Sequence, residues 1–152
     1  AIIITNQAGV ARGYFSEEMI HIIHDRLKLE LGKGGAKLDA IYYCVHHPSV
    51  GEPAYRLDCD CRKPKPGLIR RAVEELDINS AASWMVGDRY SDIELARNAG
   101  VNSAFVLSGY GQGEWENQRS NWQRQPDLVA ENLLEAVQSI IGTDTRKISL
   151  PR

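Results

Sequence analysis

Cys44-x-His46 and Cys59-x-Cys61 hold all 3 cysteines of this 152-residue chain, and the second pair runs directly into Arg62-Lys63-Pro64. Three thiolates and one imidazole are the donors that tetrahedral Zn²⁺ favours, and short ligand pairs on either side of a loop are the usual layout of a structural zinc site. A closed set of four leaves no coordination position for water, so the expected ion organises the chain and does no chemistry itself. The fold must then bring residues 44–46 and 59–61 to one point and loop out the irregular segment that holds Pro48, Gly51 and Pro53. His47 is the alternative imidazole. An odd cysteine count also fits a reducing compartment.

A hydrophobic share of 43% and a charged share of 25% suit one globular domain with a substantial core, expected over residues 1–142 with a flexible tail at 143–152. A formal net charge of -2 argues against a general polyanion binder, so nucleic acid is not an expected partner. The apolar Ile2-Ile3-Ile4 run passes at once into Thr5-Asn6-Gln7, unlike a secretory signal, and no apolar stretch is long enough to span a bilayer. The expectation is a cytoplasmic monomer with no membrane partner.

Strand and helix signals alternate along the chain. Residues 1–4 read as the end of a buried strand that yields to a loop at Thr5-Asn6. Ser16 caps a helix with Glu17 and Glu18 in its first turn and Met19, Ile20, Ile23, Leu27 and Leu31 as its apolar face, stopping at 32–35. His21 and His24 read as surface or boundary residues. Ile41-Tyr42-Tyr43 reads as a strand delivering Cys44, and Pro66 opens a helix carrying Leu68, Ile69, Ala72, Val73 and Leu76. Trp84-Met85-Val86 is the next strand, Ser91 or Asp92 caps a helix ended by Gly100, and 102–107 forms a further strand. A short strand at 126–129 and an amphipathic helix ending at Gly142 complete the pattern. Strands alternating with helices predict an open parallel α/β sheet with helices on both faces, whose ligands gather at the strand carboxyl ends.

Phosphoryl transfer needs hydroxyl, amide and cationic groups around the phosphate oxygens and a carboxylate for Mg²⁺. Thr5, Asn6, Lys63 and Asp88 supply those groups, in that order, at strand ends. Thr5-Asn6-Gln7, Lys63-Pro64 and Gly87-Asp88-Arg89-Tyr90-Ser91-Asp92 resemble the second, third and fourth motifs of the haloacid dehalogenase (HAD) superfamily of phosphohydrolases. More narrowly, Thr5 to Gly13, Tyr42 to Pro48 and Cys59-Asp60-Cys61-Arg62-Lys63-Pro64 resemble its branch of heptose-bisphosphate phosphatases, which carries a zinc loop and no large cap domain. The resemblance implies a phosphatase that removes the 7-phosphate of a bisphosphorylated heptose, in making the heptose precursor of lipopolysaccharide. It implies that Thr5 and Lys63 stabilise the transferring phosphoryl group, and that Thr5, Asn6, Gln7, Ala8, Arg62, Lys63 and Arg89 bind substrate. Asp88 is then a ligand of catalytic Mg²⁺; Asp92 is either an outer partner of that metal or the cap of the helix that follows, and the cap is the preferred reading.

The first motif of the superfamily, Asp-x-Asp at the end of a strand, supplies the nucleophile that forms a phosphoaspartate and the acid/base that helps hydrolyse it. No such pair precedes Thr5 here; Asp58-Cys59-Asp60 lies between zinc ligands and follows no apolar strand. The expectation is a fragment lacking the first central strand, inactive as written. The alternatives are a histidinol-phosphate phosphatase, which shares the zinc loop, and a zinc-stabilised binding module or pseudophosphatase. Tyr110, Trp115 and Trp122 fit the module, although the same aromatics would also serve to cover the core edge.

Overall fold

The computed structural model describes residues 1–148. The chain divides into two compact units, Ala1–Ile78 and Asn79–Arg152. Parallel α/β pairing is as expected, but it forms two ladders, of two and of three strands.

In the first unit, β1 (Ile2–Asn6), α1 (Glu17–Lys33), β2 (Ala40–Cys44) and α2 (Gly67–Leu76) follow in order. β1 and β2 pair in parallel, with Ile2 opposite Ala40 and Asn6 opposite Cys44. Thr5 and Asn6 are therefore strand residues rather than the start of a loop, and the register sets Asn6 across from the first candidate metal ligand. Every β1 residue is only half-buried, a correction to the expected buried strand, since within its unit β1 is paired along one edge alone.

The Ser16 hydroxyl accepts from the Met19 N–H and caps α1, as its sequence requires. The helix turns Ile20, Leu27 and Leu31 inward as expected, but His24 is buried beside Ile20, whereas Met19 and Ile23 stand about half exposed at 43% and 52%. Ile20 packs with Val10 and Val45, and His24 meets the Tyr43 ring edge-on at 5.4 Å. An i, i+4 pair that includes a histidine was masked by the denser aliphatic pattern beside it. Tyr42, Cys44, Leu68 and Ala72 form the second core of this unit, with Cys59 and Cys61 packed against it.

The second unit runs β3 (Trp84–Gly87), α3 (Tyr90–Ala99), β4 (Asn102–Val106), α4 (Gly111–Gln118), β5 (Leu128–Ala130) and α5 (Leu133–Ile148). β3 pairs with β4 and β4 with β5, all parallel. Asp127 fastens the last pair, its Oδ2 accepting from the Ser103 N–H at 2.8 Å and the Ser103 hydroxyl at 2.7 Å. Gly100 ends α3 in the left-handed conformation with φ 71°, as its position predicts. Gly142 has no positive φ, so α5 continues through it to Ile148 instead of stopping; residues 149–152 of the expected tail lie outside the described residues. α4 went unread because two glycines and a polar run hide it. Gly111 is required there, since a Cβ would sit 1.8 Å from the Val106 carbonyl oxygen. Trp122 is buried, stacked on Tyr90 at 4.7 Å and edge-on to Phe105 at 4.9 Å, so it is a core residue and not part of an exposed aromatic platform.

Candidate functional site

β2 ends at Cys44, and the chain from there to Pro66 has no helix or strand. Within it the Cys44, Cys59 and Cys61 sulfurs and a His46 ring nitrogen all lie within 4.8 Å of one another. The Sγ separations are 3.4 Å for Cys44–Cys59, 3.1 Å for Cys44–Cys61 and 3.0 Å for Cys59–Cys61. His46 Nδ1 stands 3.5 Å from the Cys61 sulfur and 3.9 Å from that of Cys44. None of the cysteines is in a disulfide. A tetrahedron with Zn–S of about 2.3 Å has S···S edges of about 3.8 Å, so an ion would enter with the sulfurs opening by about 0.4 to 0.8 Å.

The electrostatics of the set also fit a cation. Burial pushes the Cys44 thiol up, and at Cys61 burial and then hydrogen bonding to Cys59 and Cys44 do the same. Burial acts in that direction at Cys59 as well, but hydrogen bonds from Cys61 and Cys44 outweigh it and bring that thiol down. Without a cation one sulfur ionises readily and its neighbours resist, because adjacent thiolates repel. A divalent ion removes that conflict. His47 is not in the set; its ring faces Arg12 and Ser49.

The loop carries Arg62 and Lys63 to the end of β1. Asn6 Oδ1 accepts from the Lys63 backbone N–H at 3.1 Å, while Asn6 Nδ2 donates to the Lys63 carbonyl at 3.4 Å. Lys63 Nζ reaches the Ile4 carbonyl at 3.5 Å. The Asn6 side chain, expected on the phosphate, thus grips the backbone of the lysine loop. Thr5 Oγ1 accepts from Gln7 Nε2 at 3.1 Å, and the Gln7 N–H donates to the Cys44 carbonyl at 2.7 Å. The Ala8 carbonyl accepts from the Arg12 N–H at 3.0 Å in the turn after the strand. Arg62 Nη1 donates to the His46 carbonyl at 3.1 Å. Asp58 and Asp60 are ion-paired with Lys65 and Arg70 at 2.6 Å and 2.9 Å, which gives both carboxylates a role in holding the loop.

Asp88 and Arg89 belong to the second unit, in the turn from β3 to α3. Asp88 Oδ2 accepts from the Tyr110 N–H at 2.9 Å, next to Gly109, whose φ is 67° and whose Cβ, if present, would lie 2.2 Å from that oxygen. A single carboxylate so held fits Mg²⁺, which keeps several waters and takes one or two protein carboxylates besides substrate phosphate. Arg89 is the N-cap of α3; its guanidinium pairs with Glu114 at 3.0 Å and lies 3.9 Å above the Tyr110 ring. Asp92 does not occupy the N-cap position: it stands at the third helical position, where its Oδ2 accepts from the Arg89 N–H at 3.1 Å, the returning half of a capping box. Gly87 permits this, because a Cβ there would lie 2.3 Å from that oxygen. Glu114 had no signal in the sequence, yet it accepts from the Tyr90 N–H at 2.7 Å and completes the helix start.

A mixed parallel α/β architecture with Thr5 on β1, Lys63 on the loop held against that strand and Asp88 in the β3–α3 turn defines a class, and the HAD-hydrolase-like family profile matches residues 60–136. The chain belongs to that family. It is 39% identical to the D-glycero-beta-D-manno-heptose-1,7-bisphosphate 7-phosphatase of Haemophilus ducreyi over 137 residues, covering 90% of this chain and 72% of the relative. The enzyme of the same name from Pasteurella multocida is 37% identical, with coverages of 93% and 73%. Among solved structures, the D,D-heptose 1,7-bisphosphate phosphatase from B. bronchiseptica complexed with magnesium and phosphate superposes with a TM-score of 0.81 at 30% identity, over 93% of this chain and 74% of that one.

Proposed function

We propose that this chain carries most of a Mg²⁺-dependent phosphatase that removes the 7-phosphate of D-glycero-D-manno-heptose 1,7-bisphosphate, in the synthesis of a surface-glycan heptose precursor. The observation that carries the reading is the joining of Asn6 to the Lys63 backbone beside the Cys/His set. It fixes a cation at the end of the strand that presents Thr5. The Haemophilus ducreyi and Pasteurella multocida relatives, both named for the heptose bisphosphate, favour this substrate over histidinol phosphate.

Cys44, His46, Cys59 and Cys61 would hold Zn²⁺, which fixes the segment bearing Arg62 and Lys63. Lys63 offsets charge on the transferring phosphoryl group, and the Thr5 hydroxyl donates to one of its oxygens. Arg62 recognises substrate. Asp88 would hold Mg²⁺, oriented by the Tyr110 N–H. Bound Mg²⁺ supplies charge neutralisation at the phosphate oxygens. Asn6 acts as a positioning residue for Lys63, and Arg89, paired with Glu114, shapes the start of α3 before it meets any ligand.

In this reading the aspartyl nucleophile is neither Asp58 nor Asp60, which serve the loop. A polypeptide confined to these residues is expected to release no phosphate. Phosphate release and product mass, measured on the full-length protein with Mg²⁺, test the assignment. Heptose 1-phosphate as the product supports it; hydrolysis of histidinol phosphate at a higher kcat/KM, or of neither substrate, overturns it.

A further inference from the structure

One short segment, residues 110–114, reaches both residues that follow β3. At its start the Tyr110 N–H donates to Asp88 Oδ2 at 2.9 Å, and the Tyr110 ring lies beneath the Arg89 guanidinium, whose Cζ is 3.9 Å from the ring centroid. One turn on, the Glu114 N–H donates to the Tyr110 carbonyl at 3.1 Å. The Glu114 carboxylate accepts from Arg89 Nη1 at 3.0 Å and from the Tyr90 N–H at 2.7 Å. The guanidinium is thus held along one edge by a carboxylate and across one face by an aromatic ring.

The burial of the three side chains differs in a telling order. Glu114 is nearly covered at 13% exposure, whereas Arg89 is 47% and Tyr110 65% exposed. The anchor is inside and the held group is at the surface. Capping of α3 does not require this arrangement, because Asp92 accepts from the Arg89 backbone N–H alone. Among the described residues Glu114 is the hydrogen-bond and ion-pair partner of the guanidinium, so its other N–H donors remain for a ligand. Fixing a free arginine at a ligand costs about 2 kcal/mol of rotamer entropy. Here that cost is met when the segment folds.

We propose that Tyr110, through its ring, and Glu114 are positioning residues that hold the Arg89 guanidinium ready for a sugar phosphate. This rests on the reading of the chain as part of a sugar-bisphosphate phosphatase with Arg89 among its substrate contacts. The segment then sets two groups by separable means. Asp88 is served by a backbone N–H that any residue but proline supplies at position 110, whereas Arg89 is served by the ring.

The test uses the full-length protein with Zn²⁺ and Mg²⁺ and heptose 1,7-bisphosphate as substrate. Tyr110→Ala should raise KM about threefold to tenfold, the scale of a partly desolvated cation–π contact. The half-saturating Mg²⁺ concentration should stay the same, because the N–H on Asp88 remains. Tyr110→Phe should recover most of the loss, and Glu114→Gln should raise KM as Tyr110→Ala does. In an Arg89→Ala background, Tyr110→Ala should add less than about twofold, since its target is gone. Additive effects of the two changes overturn the proposal, and so does a Mg²⁺ requirement that rises together with KM, the mark of a merely structural role. Mannose 1-phosphate, titrated while the Arg89 Nε–H is followed by NMR, reads the site without turnover. The wild-type signal should shift, with severalfold weaker binding in Tyr110→Ala. If the wild type releases no phosphate from the heptose bisphosphate yet shows this response, the assigned reaction fails and the positioning of Arg89 stands. A wild-type Arg89 signal unmoved by the sugar phosphate overturns the proposal even where the enzyme is active.

Discussion

The Cys/His loop of the first unit and the β3–α3 turn of the second present their functional groups by opposite means. From Val45 to Pro66 the chain has no helix or strand of its own, and its order comes from the four-ligand set, from ion pairs at Asp58 and Asp60, and from the Asn6 grip on Lys63. Asp88 and Arg89 sit on a tight turn whose order comes from close packing: Gly87 admits Asp92, Gly109 admits Asp88, and Glu114 satisfies the Tyr90 N–H. In the proposed reading the loop depends on a bound ion, and the turn on the absence of two Cβ atoms. Distributed contacts of the second kind fail by degrees, whereas a metal-ordered loop fails as a whole.

The sharpest way to break the comparison is to remove the metal. Cys61→Ser, or a strong chelator, is expected to abolish phosphatase activity in the full-length protein and to expose residues 45–60 to hydrogen exchange while α3 and β4 stay protected. Uniform loss of protection would show that the two regions do not differ in this way. Next in size, Lys63→Ala and Asp88→Asn should each lower kcat by about a hundredfold to a thousandfold, the scale of removing one preorganised electrostatic group. Steady-state kinetics with zinc content held constant checks this, and near-normal turnover in both would sink the site.

Smaller effects sharpen the account of the turn. Gly109→Ala forces a side chain onto a φ of 67° and against Asp88, so its activity should fall by about tenfold or more with a stability loss of about 1–2 kcal/mol. Equal activity in Gly109→Ala and wild type would mean that Asp88 needs no such fixing. Glu114→Gln keeps the shape but removes the charge that pairs with Arg89; chemical denaturation should show a loss of about 1 kcal/mol. The smallest change is expected from Arg71→Ala, which removes an exposed pair with Glu75 at 2.6 Å. Its thermal midpoint should match wild type within error.

What could be read from the sequence follows the same division. The Cys/His cluster was legible because its side chains are chemically distinctive and come in short pairs, and Gly100 was legible because a helix stop is a local event. The Asn6 grip on Lys63 was not, since it joins positions 57 residues apart and uses backbone atoms that every residue has. The sequence places Asp92 at a helix start but does not tell a cap from a residue that answers the cap from the third position, a distinction that needs the backbone conformation. Glu114 and α4 stayed hidden because Gly111 and Gly113 suppress helix propensity, and the close approach to Val106 that explains Gly111 is tertiary.

The grip of Asn6 also separates location from identity. Its amide touches only the main chain of residue 63, by way of the N–H and the carbonyl, so whichever amino acid stands there is delivered to the same place. Position 63 is then a socket: its side chain can be exchanged for arginine, glutamine or a shortened lysine analogue without redesigning the support, and each exchange reports on charge and reach alone. Position 6 admits no such freedom, because aspartate would retain the acceptor but lose the donor that completes the pair.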